Sequence, residues 1–435
     1  MSNQFTLLTY RRFLPFFLTQ MLGAFNDNVF KQSLIMALAF QGSNWTSLSS
    51  STLTNLSAGL FILPFFLFSA TAGQLSDHGD KARIIRWIKV SEVLIMLIAS
   101  AGYLLHHLGL LLTALFMMGS HSTFFGPAKY AILPQVLSEA ELVGGNALVE
   151  TGTSMAILIG SSLGGILLAD TALSTLCATL LGIALLGWLF SLLIPTVPTT
   201  SKSIPALWNP WKATCASIRF ARQHRELWYV LIASSWFWFF GATLLTQIPS
   251  FCHQVLHVGE HAVTLLLSLF SVGIALGSLI CERLSRHHIE PGLVPIGMIG
   301  LILGSLLLYH FAAPSQHETA LSIFLLGSVL FTGFSSGIYI VPLYAFMQHR
   351  SPSEHRSQVV AANNILNALF MVGSALIAII FLGPLKGSIR SLFLINGLGT
   401  LLIGLFLLHR QPIYGQRCMQ LLKGQATSIL PGIKE

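Results

Sequence analysis

Charged residues are scarce in this chain of 435 residues, of which aspartate, glutamate, lysine and arginine together make up 9%. A soluble domain carries about 25% charged residues, so the composition excludes an ordinary soluble globular protein. Hydrophobic residues account for 54%, and the mean hydropathy is +0.74. We therefore predict an all-α polytopic membrane protein. The formal charge of +8 is then interpreted through where the charges lie, and no nucleic-acid partner is expected.

Motifs of several other protein classes are also missing. The five cysteines show no CxxC or other regular spacing, so neither a disulfide framework nor a zinc site is predicted. The sequence has no nucleophile–base arrangement and no nucleotide-binding loop, so we expect no catalytic residues and no cofactor. The first apolar run follows Arg11 and Arg12. At roughly 25 residues it exceeds the ~7–15 of a signal peptide, so no cleavable signal is expected.

About twelve apolar stretches are long enough to cross a bilayer as helices when scanned with a window of about 19 residues. With the N-terminus in the cytoplasm, 19 of the 23 lysines and arginines fall in cytoplasmic segments. Only Lys386 and Arg390 fall on the opposite side, while Lys31 and Lys129 lie within the membrane. This bias predicts that both termini are cytoplasmic. The predicted spans are 13–40, 53–75, 84–105, 109–131, 147–169, 173–195, 228–251, 262–281, 292–312, 320–346, 359–383 and 389–409.

The longest break between spans, at 196–227, contains four prolines followed by tryptophans and basic residues. It predicts a cytoplasmic linker whose second part is a basic helix on the membrane surface, although a plain linker is also compatible. The break separates two six-helix halves, 1–195 and 228–410, and a cytoplasmic tail follows at 411–435. Both halves place a Gly/Pro/Tyr-bearing helix end before a helix that begins with asparagine. Parallel six-span repeats are typical of the major facilitator fold, with a substrate site near the midplane between the halves.

The loop between spans two and three reads Gly73-Gln-Leu75-Ser-Asp77-His-Gly79-Asp80-Lys81-Ala-Arg83. It resembles the signature of this loop in the major facilitator superfamily. It departs from that signature in its second glycine, which comes one place early and leaves Asp80 where a glycine is expected. The resemblance implies that Asp77, Lys81 and Arg83 form a gate latch, which affects the balance between conformations rather than the choice of substrate.

Three further segments, Gly23–Asn28, Gly126–Leu133 and Gly144–Glu150, resemble the bacterial lysophospholipid transporter family, LplT. They also resemble the transporter segment fused to 2-acylglycerophosphoethanolamine acyltransferases. The resemblance covers most of the first half and is weaker in the second. It implies inward flipping of lysophospholipids across the bacterial inner membrane for reacylation, with an acyltransferase as functional partner. Because the sequence ends at Glu435, we expect no fused acyltransferase domain.

The first predicted span is unusually polar for a membrane helix. Asp27 and Lys31 are four residues apart and share a helix face with Gln20. One interpretation is a self-neutralising pair that allows a polar face to be buried. The other is that the pair meets the substrate, or that Asp27 takes up a proton when Lys31 moves away.

Lys129 and Glu150 extend this set to a predicted mixed-charge site. Lys129 either snorkels to the headgroup level or binds a phosphate in a cavity where Pro127 interrupts the helix. Glu150 either caps its helix or bonds a neighbouring helix, or it receives an ammonium group or pairs with Lys129. The remaining predicted substrate-binding residues are amides and a phenol: Asn28, Asn146, Asn363, Asn367 and Tyr130.

Two other clusters are given structural interpretations. Glu92 is predicted to share a basic cytoplasmic rim with Lys89. His253, His257 and His261 are spaced by four and suggest a metal site, but the only nearby carboxylate is that of Glu260. We therefore predict interfacial histidines and no bound metal.

The primary hypothesis is a lysophospholipid flippase. The headgroup would enter a cavity between the halves, and the acyl chain would stay in an apolar cleft open to lipid. About 12 buried CH₂ groups at ~0.8 kcal/mol each make leaving lipid contact costly. Two alternatives remain: a proton-coupled transporter of a soluble anionic solute such as a siderophore, or a drug exporter; and a non-transporting receptor or partner of a membrane acyltransferase.

Overall fold

The computed structural model describes residues 4–45, 50–197, 209–286, 288–312 and 321–423. A short 3-10 helix at Gln4–Thr9 precedes the first α-helix. The described residues form fourteen α-helices: α1 Leu14–Trp45, α2 Ser50–His78, α3 Lys81–Leu104, α4 Leu108–Val136, α5 Glu139–Asp170, α6 Leu173–Leu192, α7 Pro210–Gln223, α8 Arg225–Gln254, α9 Glu260–Leu284, α10 Leu293–Phe311, α11 Ile323–Arg350, α12 Arg356–Leu382, α13 Ile389–Arg410 and α14 Pro412–Leu422.

Each of the twelve predicted spans falls on one of these helices, which confirms the all-α membrane fold. By length and composition, ten of the described helices are apolar enough to cross a membrane: α2, α4, α5, α6 and α8 to α13. The other two predicted spans are α1 and α3, which are 32 and 24 residues long and carry charged side chains within them. Of the predicted linker and tail, residues 198–208 and 424–435 lie outside the described residues.

The predicted interruption of span four at Pro127 is wrong. Helix α4 continues through both Pro127 and Pro134 as one element of 29 residues. Prolines are tolerated inside membrane helices because hydroxyl side chains and neighbouring helices satisfy the backbone groups that they leave unpaired.

Contacts divide the chain into two compact units. The first unit comprises residues 1–136, 152–224 and 351–368, and the second comprises 137–151, 225–350 and 369–435. The helices α5 and α12 therefore contribute one segment to each unit. In the first unit, α1, α3, α4 and α6 enclose an apolar core that includes the buried rings of Phe30 and Tyr103. The hydroxyl groups of Tyr103 and Ser33 lie 2.8 Å apart within it.

The second unit is built around α8, α9, α10, α11 and α13. Helices α9 and α11 pack backbone against backbone, because Gly273 and Gly277 on α9 face Gly333 and Gly337 on α11. A methyl group added at Gly337 would lie 2.5 Å from the backbone nitrogen of Ser278. Small residues four apart allow the close helix contact that replaces hydrophobic driving force within a bilayer.

Candidate functional site

The Asp27 carboxylate lies on α1 and faces α4. Its Oδ2 accepts a hydrogen bond from Ser122 Oγ at 2.8 Å. Its Oδ1 is buried and has no hydrogen-bond partner among the described residues. Lys31 lies one turn further along α1, within electrostatic range of Asp27. The Lys31 ammonium also sits 4.5 Å from the ring centre of Phe61 on α2. The structure thus brings Asp27 and Lys31 together and leaves one carboxylate oxygen able to accept a further bond.

A polar chain connects Lys129 to α1 through α5. Lys129 is 9% exposed, and its Nζ donates to Thr153 Oγ1 at 3.2 Å. Thr153 Oγ1 in turn donates to Gln20 Oε1 on α1 at 3.2 Å. The ammonium also lies 5.0 Å from the ring centre of Tyr130. These contacts hold Lys129 against neighbouring side chains, and they join three helices of the first unit.

Glu150 and Asn146 lie on the segment of α5 that belongs to the second unit. Both side chains are buried. The Asn146 amide exchanges two hydrogen bonds with the Gln348 amide on α11, at 2.8 and 2.9 Å. This reciprocal pair ties a helix from before residue 195 to one from after residue 228. A substrate-binding role for either residue stays a prediction, as does the joint site of Glu150 with the charges of α1 and α4.

The other predicted amides differ in what they contact. Asn28 is part-buried and donates from Nδ2 to the carbonyl oxygen of Ala24 on its own helix, at 2.7 Å. Asn363 and Asn367 are both buried on α12, in the segment that belongs to the first unit. Their assignment to substrate binding also remains a prediction.

Asp77 holds the start of α12. Its two carboxylate oxygens accept the backbone N–H groups of Ser357 and Gln358 at 2.8 and 3.0 Å. These N–H groups belong to the first helical turn, which has no intrahelical acceptor for them and carries the positive end of the helix dipole. The carboxylate therefore caps a helix distant in sequence, which is a suitable geometry for the predicted latch.

The close approach of α2 to α12 explains the glycine of the same loop signature. A methyl group at Gly73 would lie 2.8 Å from the carbonyl oxygen of Ser357, so only hydrogen fits there. The other two predicted latch residues behave differently. Arg83 is exposed to solvent, whereas Lys81 is buried, with 1% of its surface exposed.

A buried ionic cluster lies where the sequence predicted a basic cytoplasmic rim. Lys89 and Glu92, three residues apart on α3, form an ion pair in which both side chains are 0% exposed. His121 Nε2 on α4 lies 3.2 Å from Glu92 Oε2, and Asn26 Nδ2 on α1 donates to Glu92 Oε1 at 2.9 Å. The prediction that Lys89 lines a cytoplasmic rim is therefore wrong. The Lys89 side chain points inward because Gly187 leaves room for it: a methyl group there would lie 2.9 Å from Nζ.

This ionic cluster adjoins Asp27. Asn26 precedes Asp27 on α1, and His121 precedes the Ser122 that donates to it on α4. On both α1 and α4, one of two adjacent residues therefore contacts Glu92, and the other takes part in the Asp27–Ser122 hydrogen bond. Sequence signals for the cluster existed, since Lys89 and Glu92 are spaced for one helix face and His121 interrupts an apolar run. The predicted span boundary placed both charges too near the helix end.

His253, His257 and His261 were considered as metal ligands from their spacing. Within the described residues, no three histidine, cysteine, aspartate or glutamate side chains are grouped so that they could hold a metal ion. The arrangement of α1, α3, α4 and α5 offers instead a carboxylate and an ammonium that are both held by helix partners. Such a site can bind groups of opposite charge without covalent chemistry.

Sequence comparison matches residues 13–375 to the sequence model of the Major Facilitator Superfamily. The chain is 27% identical over 391 residues to the lysophospholipid transporter LplT of Enterobacter sp. (strain 638), covering 88% of this chain and 89% of the relative. It is 26% identical over 327 residues to the lysophospholipid transporter LplT of Yersinia pestis (strain Pestoides F), covering 72% and 75%.

Solved structures share the fold at low sequence identity. The human organic anion transporter MFSD10 superposes with a TM-score of 0.74 at 16% identity, covering 91% of this chain and 99% of that one. The transporter FucP in its outward conformation gives a TM-score of 0.69 at 15% identity, covering 92% and 100%.

Proposed function

Because this chain belongs to the major facilitator superfamily and is a transporter, we propose that its substrates are lysophospholipids such as lysophosphatidylethanolamine. Transport runs from the outer to the inner leaflet of a bacterial inner membrane, with both termini in the cytoplasm. A membrane acyltransferase on the cytoplasmic side consumes the product. The similarity to proteins named lysophospholipid transporter supports the substrate class, since it extends over 88% of the chain.

The observation that carries this proposal is the pairing of opposite charges around α1. Asp27 offers a buried carboxylate oxygen that has no hydrogen-bond partner in the described part of the chain. Lys129 offers an ammonium that Thr153 and Gln20 connect to the same helix. A phosphoethanolamine headgroup carries an ammonium and a phosphate, so it complements both groups. Charge-assisted hydrogen bonds are about twice as strong as neutral ones, and they favour this headgroup over an uncharged lipid.

The acyl chain sets the route. An acyl chain of about 12 or more CH₂ groups loses ~0.8 kcal/mol for each group moved from an apolar surrounding into water. A lateral path, in which the headgroup crosses protein while the tail stays in lipid, avoids that cost. Asn363 and Asn367, which belong to the first unit, are proposed to contact the headgroup, and Asp77 to latch α2 to α12 between transport steps. A substrate-binding role is also proposed for Glu150 and Asn146.

The test is uptake of labelled lysophospholipids by proteoliposomes that contain the purified protein. Lysophosphatidylethanolamine and lysophosphatidylglycerol share a phosphate but differ in the ammonium. Asp27→Asn is expected to slow the first substrate at least about tenfold more than the second, the equivalent of ~1.4 kcal/mol. Lys129→Ala is expected to slow both, because both carry the phosphate.

Matched controls remove similar groups at exposed positions. Glu139→Gln neutralises an acid that is 62% exposed, and Lys423→Ala removes an exposed lysine at the end of α14. Both controls are expected to transport at the unaltered rate. Transport of a soluble anionic solute with no movement of any lysophospholipid would overturn the proposal. Equal loss of both substrates in Asp27→Asn would remove Asp27 from ammonium recognition.

A further inference from the structure

Helix α7 is the one predicted linker element that the described residues contain, and its ends are well defined. Asn209 caps it, since Asn209 Oδ1 accepts the backbone N–H groups of Trp211 and Lys212 at 3.0 and 3.2 Å. Pro210 occupies the first turn, where a missing N–H costs nothing. The helix of fourteen residues contains no aspartate or glutamate.

One face of α7 fixes the helix to the rest of the first unit. Its members are small, with Ala213 and Ala221 at 0% exposure and Ser217 at 1%. Ala213 packs with Ala70 of α2 and Ile365 of α12. Because these contacts use small side chains, α7 lies close against α2, and the opposite face is turned away from the protein.

That opposite face, which we call the basic face, consists of exposed residues spaced at helical intervals. Trp211 is a large hydrophobic side chain, yet it is 78% exposed. It is accompanied by three cations and a thiol. The members of the basic face are Trp211, Lys212, Cys215, Arg219 and Arg222.

We propose that the basic face binds the phosphate headgroups of anionic lipids in the leaflet next to it. Three cations without an acid on the same helix match a negatively charged surface, which attracts each such cation within about a Debye length. Tryptophan is enriched at the headgroup level, where its ring lies among lipid atoms and its N–H reaches polar groups. Under the orientation of the proposed function, on which this point alone rests, the leaflet is the cytoplasmic one.

A second copy of the chain is the less suitable occupant. Two basic faces brought together would oppose six cations with no acid on either helix, and like charges in contact disfavour association. Anionic lipid supplies the opposite charge and is present around any protein in a bacterial membrane. The proposal therefore commits to lipid, and a second copy becomes an outcome of the test.

The basic face carries its own reporter. Cys215 is exposed, whereas Cys177, Cys252, Cys281 and Cys418 are buried. Burial raises the pKa of the Cys418 thiol, with Glu290 adding to the shift, so this cysteine outside the spans has little reactive thiolate at neutral pH. An environment-sensitive fluorescent maleimide should therefore label Cys215 selectively in the otherwise unaltered protein.

The experiment titrates phosphatidylglycerol into mixed micelles of detergent and phosphatidylcholine that contain the labelled protein. The emission is expected to shift to shorter wavelength, quenching by aqueous iodide is expected to fall, and added salt is expected to reverse both. The triple variant Lys212→Gln, Arg219→Gln, Arg222→Gln is expected to require about tenfold or more phosphatidylglycerol for half the shift, because each cation contributes to the attraction. The matched triple variant Arg283→Gln, Arg286→Gln, Arg410→Gln removes three exposed cations elsewhere and should titrate unchanged.

The outcomes are distinct. Emission that is the same with and without phosphatidylglycerol would overturn the proposal, as would an unaltered titration in the triple variant of α7. A shift that follows protein concentration instead of lipid charge would assign the face to a second copy. Should the triple variant not fold, the salt reversal in the unaltered protein still decides the question. No lysophospholipid is used, so the result is independent of the transport assay.

Discussion

Helices α1, α3 and α4 of the first unit and helices α8, α10, α11 and α13 of the second solve the same packing problem in different ways. The first set holds charges within its helices, namely Asp27, Lys31, Lys89, Glu92 and Lys129. In the second set, the aspartates, glutamates, lysines and arginines lie near helix ends. In both sets, long helices pack against one another. Comparing them therefore separates the polar groups that this packing requires from those that it does not.

The second set shows that neutral hydrogen bonds suffice. Trp236 Nε1 donates to Thr400 Oγ1 at 3.0 Å, the Tyr339 hydroxyl donates to the carbonyl oxygen of Ala233 at 2.7 Å, and Asn396 Nδ2 donates to that of Phe240 at 3.1 Å. Each of these three bonds joins uncharged groups. Removing a charge from water costs several kcal/mol, and the first set bears that cost at Lys89 and Glu92, whose side chains are 0% exposed. If the charges of the first set are not needed for packing, they are candidates for a role in transport, which the variants below test.

The largest effect is expected at Lys89. Lys89→Met leaves the Glu92 carboxylate buried without its cation, and breaking a buried pair on one side typically costs about 3–5 kcal/mol. The double variant Lys89→Met, Glu92→Gln restores neutrality and keeps an acceptor for Asn26, so it should recover most of the stability. The stabilities of the single and the double variant are measured by thermal unfolding in detergent, with size-exclusion chromatography as the readout of folded protein.

The same double variant tests the comparison itself. If the charges serve transport, the double variant should move lysophosphatidylethanolamine markedly more slowly than the unaltered protein, even though its stability is largely restored. Unaltered transport by a stable double variant would show that the cluster is only a packing element, and the contrast between the two sets would then carry no functional meaning.

The next effect concerns Asp77. Asp77→Ala removes a charged acceptor from two backbone N–H groups at the start of α12. A hydrogen bond to a charged group contributes about 1.5–3 kcal/mol, so a loss of about 2 kcal/mol is expected. Asp77→Asn keeps one acceptor and should lose less. Equal melting temperatures for the two variants would argue against capping as the role of this side chain.

Helix positions could be predicted from the sequence because hydropathy alone determines them, and each of the twelve spans falls on a helix. Asp27 and Lys31 were identifiable because a charge inside an apolar run is conspicuous. Lys89 was misassigned because it lies eight residues into α3, close enough to the helix start to be counted with Lys81 and Arg83. Whether a lysine points to the headgroups or inward depends on the neighbouring helix, here on the space at Gly187.

Partnerships across long sequence distances were beyond prediction for a related reason. Gln348 has no distinctive spacing, yet it binds Asn146, 202 residues away, through two hydrogen bonds. Likewise Thr153 and Ser122 are ordinary hydroxyl residues in sequence, and only packing shows that they hold Lys129 and Asp27. Composition indicates that a helix has a polar face, but it does not indicate which residue of which helix meets that face.

A smaller effect is expected for the reciprocal amide pair. Asn146→Leu removes both bonds to Gln348 and leaves that buried amide without them. Interhelical hydrogen bonds in membrane proteins average about 0.6 kcal/mol each and reach ~1.7, so a loss of about 1–2 kcal/mol is expected. Because the pair is neutral, the melting temperature of the unaltered protein relative to Asn146→Leu should not depend on salt. A marked salt dependence would indicate that charged neighbours, not the amides, dominate this contact.

The smallest effect tests the neutral set directly. Trp236→Phe deletes the bond to Thr400 but keeps an aromatic ring in place, so about 0.6 kcal/mol should be lost and transport should stay at the unaltered rate. The opposite pattern is expected for Asp27→Asn in the charged set. This change leaves the side-chain volume almost the same, so it should leave stability unaltered while it slows transport. Measuring melting temperature and uptake for both variants separates the two behaviours. If Trp236→Phe slowed transport as strongly as Asp27→Asn, the second unit would contribute to the substrate site through neutral groups, and the division between a charged functional set and a neutral packing set would have to be abandoned.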